Sequence, residues 1–241
     1  MSDRRVVAVT EIIESDLNVV GLVLAGGQSS RFGDANTNKA VASLGTRTLL
    51  GRVVDVLTAA TCQPPVVAVR TTDQREQYAE VLSDRDVLFV RDHEQFEGPL
   101  AGLYGAVDAV EAPWLFCCGC DMPLLSPAVV QWLICTLQDR VYTFDTLPSA
   151  LGIRHSDGTI NPLHTLYQRS AVKRLQRQLS PTSGPRSLLS TLDSVLTISE
   201  ETAPAGLPVE ESTTNVNTQR ELKSTASQLT PIHDHRGGKS L

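Results

Sequence analysis

Short apolar runs without polar interruption alternate along the chain with longer stretches in which apolar residues recur at three- and four-residue spacing. Residues 19–25, 66–69, 87–90 and 114–118 form the uninterrupted runs (VVGLVLA, VVAV, VLFV and WLFCC). Their length and continuous character predict strands covered on both faces of a sheet. Leu49, Leu50, Val53, Val54 and Leu57 predict a helix over 49–57, and Leu103, Tyr104, Val107 and Val110 predict one beginning at Leu100. Further helices are expected over 127–137, 166–179 and 220–229. Alternation of this kind is the signature of an α/β fold with a mostly parallel sheet between helices. Pro123, Pro127 and Pro148 mark turns around the fourth strand and its helix. Residues 200–214, rich in Glu, Thr, Ala and Pro, read as a long surface connection. One domain over 19–228 is the economical division, with an N-terminal extension over 1–18 and a polar C-terminal tail over 229–241.

Composition narrows the function classes. The chain has 241 residues, 41% hydrophobic and 20% charged, with a formal net charge of −6. This is the profile of an ordinary globular protein, and a chain of this length buries roughly 70% or more of its unfolded surface. The acidic balance, with no Lys/Arg run longer than two, argues against nucleic acid as a partner. Apolar stretches fall well short of the roughly 20 residues that a membrane-spanning helix needs. Glu11 and Glu14 interrupt the apolar run behind Arg4 and Arg5, so a secretory leader is not expected and the cytoplasm is. Five cysteines without framework spacing suit a reducing compartment. In Cys117-Cys118-Gly119-Cys120, consecutive ligands on a strand would point to opposite faces, so small buried core residues are expected rather than a metal cluster. His233 and His235 lie in the polar tail and read as solvated.

The most informative stretch runs from Leu24 and Ala25 through Gly26, Gly27, Gln28, Ser29, Ser30, Arg31 and Phe32 to Gly33, followed by Lys39. A buried strand ending in paired glycines brings bare backbone N–H groups to the C-terminal edge of the sheet, where ligands of open α/β sheets bind. Arg31 and Lys39 add positive charge, so the place suits phosphates. Neither the dinucleotide fingerprint nor the P-loop has this glycine spacing. A tight turn after a core strand, with two solvated cations behind it, is the alternative on this segment alone.

Leu24-Ala25-Gly26-Gly27 with its following Ser, Arg, Gly and Lys resembles the signature of the Rossmann-like nucleotidyltransferases, and the Gly26-Gly27 pair is similar to their molybdenum cofactor guanylyltransferase branch. Further blocks follow in order: 39–45 (KAVASLG), Asp92 with 98–102 (GPLAG), 115–123 (LFCCGCDMP) and 215–218 (NVNT). The resemblance runs from about Val20 to Leu222. It implies a three-layer αβα, mostly parallel Rossmann-like sheet of the glycosyltransferase-A type. It also implies transfer of GMP from GTP to the terminal phosphate of molybdenum-bound molybdopterin, with release of pyrophosphate and Mg²⁺ as cofactor. GTP and molybdopterin are then the substrates, and transient contact with proteins that deliver molybdopterin or mature molybdoenzymes is allowed.

The resemblance also assigns roles. Asp121, directly after a buried strand, would ligate Mg²⁺; an Asp that opens the turn and caps the next helix is the structural alternative. Lys39 would contact the triphosphate and stabilise transition-state charge, and with Asp121 it makes up the expected catalytic pair. Five residues separate Gly33 from Lys39, a longer loop than the resemblance implies. GTP contacts are expected from Leu24, Ala25, Gly26, Gly27, Arg31, Lys39, Arg70, Asp92, Gly98, Asp121, Asn215 and Asn217. Asp92 would accept hydrogen bonds from guanine N1 and N2 or from ribose hydroxyls. Gly98-Pro99 is also an ordinary helix-start signal. Arg70 stands where many members carry Asn. Asn215 and Asn217 share one face of an extended segment and would offer neutral oxygens, with Asx-capping of the following helix as the competing reading. For the acceptor phosphate the candidate cations are Arg154, Arg169, Lys173, Arg174 and Arg186, with 161–167 (NPLHTLY) resembling the approach to that pocket. Two other readings stay open: a related transferase, moving CMP to molybdopterin or GMP to another phosphorylated acceptor, and a non-catalytic nucleotide-binding protein of the same fold.

Overall fold

Strand β1 (Val19–Leu24) sends alternate side chains to opposite faces of the sheet and buries both sets. Val19 and Val23 enter one hydrophobic cluster, Val20 and Leu22 the other. The same division holds on β4 (Val66–Val69) and β6 (Trp114–Gly119), where Trp114, Phe116 and Cys118 face one way and Leu115 and Cys117 the other. Cys117 and Cys118 are therefore core residues on opposite faces, and burial pushes both thiols well above their ordinary pKa. Gly21 lies at the one β1 position where a Cβ would stand 2.8 Å from Leu57, so its missing side chain lets the helix come close.

The structure is a computed structural model, and it describes residues 17–27, 38–143 and 146–228. Arg31, Gly33, most of the expected N-terminal extension and the expected C-terminal tail lie outside the described residues. Seven strands form one sheet in the order β5-β4-β1-β6-β8-β7-β9, with β5 at Leu88–Arg91, β7 at Ala150–Arg154, β8 at Ile160–Gln168 and β9 at Val195–Ser199. Four neighbouring pairs are parallel, and β8 is antiparallel to both β6 and β7. One face is covered by α1 (Leu49–Ala60) and α4 (Pro127–Thr143), the other by α3 (Gly98–Ala109), α5 (Arg169–Leu175) and α6 (Pro185–Thr191). This is the expected αβα arrangement. A two-stranded ribbon, β2 (Ser43–Leu44) with β3 (Arg47–Thr48), leads into α1, which Thr48 caps through the Gly51 N–H.

Three expectations need correction. The helix expected over 166–179 begins only at Arg169, because Leu166 and Tyr167 belong to β8, where adjacent residues enter opposite clusters. Followed by Ala171, Val172 and Leu175, they mimic helical spacing. The strand expected over 87–90 is shifted by one residue, and it is an edge strand rather than one covered on both faces: Leu88 is 47% exposed. The segment over 200–214 is not merely a surface connection. It holds α7 (Val209–Ser212), whose Val209 and Ser212 are buried, with Ser212 Oγ accepting the Ser126 N–H at 3.0 Å and lying 3.1 Å from His164 Nε2. Helix α2 (Thr72–Val81), strands β7 to β9 and α6 give no signal in the apolar pattern. Among the described residues no helix is long and apolar enough to cross a membrane.

Candidate active site

The chain runs from β1 through β4 to β5 on one side, then returns to place β6 on the other side of β1. That reversal is a topological switch point, and the crevice beyond the carboxyl ends of β1 and β6 is where open α/β sheets bind ligands. A cleft of about 860 Å³ opens there. Leu24, Ala25, Gly26, Gly27, Lys39, Arg70, Asp92, Gly98 and Asp121, nine of the residues singled out from sequence, all line it. The strand ends are tied together by the Cys120 N–H, which donates to Leu24 O at 3.2 Å, and by the Ala25 N–H, which donates to Ala68 O at 3.1 Å.

Lys39 opens a 3₁₀ turn (Lys39–Val41) whose N-cap is Asn38. Its Nζ lies 2.9 Å from Asp121 Oδ2 and 3.2 Å from Asn217 Oδ1. The Lys39 side chain is 11% exposed and that of Asp121 24%, so the pair is partly withdrawn from water at the cleft wall. Asp121 does not act as a helix cap. Its carbonyl accepts the Val216 N–H at 2.8 Å, which draws the 215–217 segment over the end of β6. Asn217 is not a cap either. Thr218 and Glu221 form a capping box at the start of α8 (Gln219–Gln228), with Thr218 Oγ1 accepting the Glu221 N–H and Glu221 accepting the Asn217 and Thr218 N–H groups. That leaves the Asn217 amide oxygen for Lys39. Asn215 is exposed and is not among the described residues that line the cleft.

Asp121 and Asp92 are each seated against a glycine. A Cβ on Gly119 would stand 2.3 Å from Asp121 Oδ1, and a Cβ on Gly26 would stand 2.3 Å from Asp92 Oδ2. Asp92 Oδ1 is buried with no hydrogen-bond partner among the described residues. Burial holds the Asp92 carboxyl above the usual carboxylate range, opposed by the Arg70 guanidinium. Gly98, at φ +60°, opens α3 with Pro99 behind it, so the pair starts a helix and lines the cleft at once.

The proposed acceptor cations are not in the cleft. Arg154 bonds Thr197, Arg169 bonds Val107 O and Glu111, Lys173 meets Asp108 and Arg174 meets Asp193; Arg186 is exposed on α6. Of the 161–167 segment, Leu163 lines the cleft. Tyr78, Asn38 and His93 line it too, and the apolar pattern gives no sign of them.

The family model of the MobA-like NTP transferase domain matches residues 21–195. A protein of Haloferax mediterranei named probable molybdenum cofactor guanylyltransferase is 32% identical over 224 residues, which span 88% of this chain and 95% of that protein. Molybdopterin-guanine dinucleotide biosynthesis protein A from Archaeoglobus fulgidus superposes with a TM-score of 0.66 at 22% identity, covering 87% of this chain and 99% of that one. The manganese complex of Rv0371c from Mycobacterium tuberculosis does so with a TM-score of 0.60 at 19% identity, covering 88% and 100%. The matched stretch holds the glycine loop, Lys39, Asp92 and Asp121 on a sheet whose switch point forms their common cleft, and the chain accordingly belongs to the MobA-like NTP transferase family, that of the molybdenum cofactor guanylyltransferases, and is a nucleotidyltransferase.

Proposed function

We propose that the protein transfers GMP from GTP to the terminal phosphate of molybdenum-bound molybdopterin, releasing pyrophosphate. The observation that carries the reading is the Lys39 ammonium held between Asp121 and Asn217 in the same cleft as the glycine-loop residues and the unsatisfied Asp92 carboxylate. The name of the Haloferax relative supports the acceptor and the nucleotide. Transfer of this kind needs in-line placement of the attacking phosphate and neutralisation of charge on the α-phosphate, with no covalent nucleophile. Lys39 would supply a pre-positioned cation, while Gly26 and Gly27 would admit phosphate oxygens close to backbone N–H groups. The Asp92 carboxylate would accept from the N1 and N2 donors of guanine or from a ribose hydroxyl.

The donor set fits Mg²⁺ in the form in which it is held by one or two carboxylates and completed by substrate phosphates. Asp121 offers a carboxylate at the cleft wall, the Asn217 amide oxygen is close by, and the described residues hold no group of three or more His, Cys, Asp or Glu that would form an all-protein cage. Bound there, Mg²⁺ would supply Lewis-acid withdrawal of charge from the triphosphate oxygens. Calorimetry with GTP-Mg²⁺ and CTP-Mg²⁺, joined to pyrophosphate release with and without molybdopterin, tests the reading. Tighter GTP binding and acceptor-dependent release are expected. Preference for CTP would overturn the guanine assignment, and GTP binding without release would favour a non-catalytic protein.

Gly26→Ala provides a separate check on the Asp92 seat. The new Cβ would displace the carboxylate from its place 2.3 Å away, and GTP affinity should fall at least about tenfold, roughly 1.4 kcal/mol. Unchanged affinity in the same titration would remove Asp92 from the nucleotide site.

A further inference from the structure

Helix α2 is poorly explained by packing, since Tyr78 is its one buried residue. Gln74, Gln77 and Tyr78, spaced i, i+3 and i+4, share one face of it. That face meets both stems of the glycine loop. Tyr78 Oη lies 3.0 Å from Ala25 O and 3.2 Å from Asn38 Oδ1, and Gln77 Oε1 accepts from Asn38 Nδ2 at 2.7 Å. Gln74 Nε2 reaches Gly27 O at 3.5 Å, while its Oε1 accepts the Arg70 N–H at 2.9 Å. Asn38 Oδ1 also accepts the Ala40 N–H at 3.1 Å, so the residue gripped by Tyr78 is the one that starts the Lys39 turn.

We propose that this face of α2 is a clasp for the nucleotide site, with the Tyr78 hydroxyl as a positioning residue that holds Ala25 and Asn38 together. Gly26 and Gly27 follow directly from one of these points and Lys39 from the other, so fixing both sets the separation between the Gly26 and Gly27 amides and the Lys39 ammonium. The distance matters because both would act on one triphosphate. Burial pushes the phenol far above its ordinary pKa, so it stays a donor throughout the working pH range. The two acceptors share its single proton, and the ring belongs to the hydrophobic cluster beneath. Tyr78→Phe therefore removes the clasp while keeping the packing. The inference rests on the reading of the glycine loop and Lys39 as the GTP site.

The test is GTP-Mg²⁺ titration and steady-state kinetics on the full chain with Tyr78→Phe, Lys39→Met and the double variant. Tyr78→Phe is expected to weaken GTP binding and to lower kcat/KM for GTP about fivefold, the worth of one hydrogen bond, with the acceptor KM changed less than about twofold. In the Lys39→Met background the same change should cost less than about twofold, because the cation that the clasp positions is gone. Full additivity, or unaltered GTP affinity in Tyr78→Phe, would overturn the clasp while wild-type GTP binding leaves the site reading intact. No GTP binding by the wild type would instead sink the site reading. Should Tyr78→Phe fold poorly, Asn38→Ala removes the loop-side contact together with the Ala40 and Gln77 bonds, so its loss of GTP affinity should be at least about fivefold and should again shrink below about twofold in the Lys39→Met background.

Discussion

Replacing Asp121 with Asn, or Lys39 with Met, should lower turnover roughly 10²- to 10³-fold, which corresponds to about 3–4 kcal/mol of lost transition-state stabilisation. The two variants probe different halves of one contact. Asp121→Asn keeps a hydrogen-bonding oxygen near Lys39 Nζ but removes the negative charge and the proposed ligand for Mg²⁺. Lys39→Met keeps the apolar stem of a side chain that is largely buried and removes only the ammonium. In both, the fold should be retained, because the pair sits at the cleft wall and the backbone bonds that fix it, from Val216 N–H to Asp121 O and from Cys120 N–H to Leu24 O, involve no side chain. Single-turnover assays at saturating GTP-Mg²⁺, with far-UV circular dichroism as the check on folding, measure the effect. Turnover within a few-fold of wild type in either variant would sink the assignment of the pair. A loss confined to KM would make it a binding contact alone.

The parts of the fold that the sequence revealed are those whose burial is symmetric. β1, β4 and β6 are covered on both faces, so their apolar runs are unbroken and their ends fall within a residue of the sequence boundaries. β5 shows where that logic fails: at the sheet edge Leu88 is exposed, and nothing in the run itself distinguishes it from a central strand. β8 was hidden for a different reason. Leu166 and Tyr167 serve opposite cores, and a single polar residue separates them from the first turn of α5, so two elements merge into one helical pattern. Helix α2 lacks a long apolar stripe because, beside Tyr78, its inward face meets backbone carbonyls and an Asn side chain.

The site was legible to the extent that chemistry sits at strand ends. Gly26, Asp92 and Asp121 each stand within two residues of the end of a strand, which is where a parallel sheet presents ligands. Asn217 was half legible: the alternation of exposed Asn215, buried Val216 and exposed Asn217 matches the extended reading, but its bond to Lys39 depends on a contact 178 residues apart. The cations of the second half stand outside the cleft, and charge alone does not report pairing. Arg169, Lys173 and Arg174 each find an acidic partner away from the cleft.

Acidification should destabilise the protein through His164, a residue that no sequence pattern marks as titratable core. Its ring lies in β8 at right angles to Phe116, with Nε2 3.1 Å from Ser212 Oγ and Nδ1 buried without a partner among the described residues. Burial, and to a smaller extent the nearby His155, lowers its pKa from 6.5 to about 4, with its own backbone opposing the shift. The folded pKa lies below the unfolded one, so the unfolded chain binds more protons in between. The contribution to stability is therefore complete above pH 6.5, falls as pH drops through the interval, and is exhausted below about pH 4. A shift of this size is worth about 3 kcal/mol, a large share of the stability of an ordinary domain. Carboxylates contribute as well: Glu200 and Asp157 are held below their ordinary range in the folded chain, while burial moves Asp92 up toward this window. The measurement is accordingly a difference: urea unfolding at pH 7, 5.5 and 4.5 for wild type and for His164→Gln, whose amide can still bond Ser212. The wild type should lose about 2–3 kcal/mol more than the variant over that range. Parallel curves would mean that His164 does not titrate against burial. Because Ser212 joins His164 to the Ser126 N–H, and α7 leads directly into the segment that carries Asn217, the same protonation should loosen the strap over β6 before the sheet itself melts.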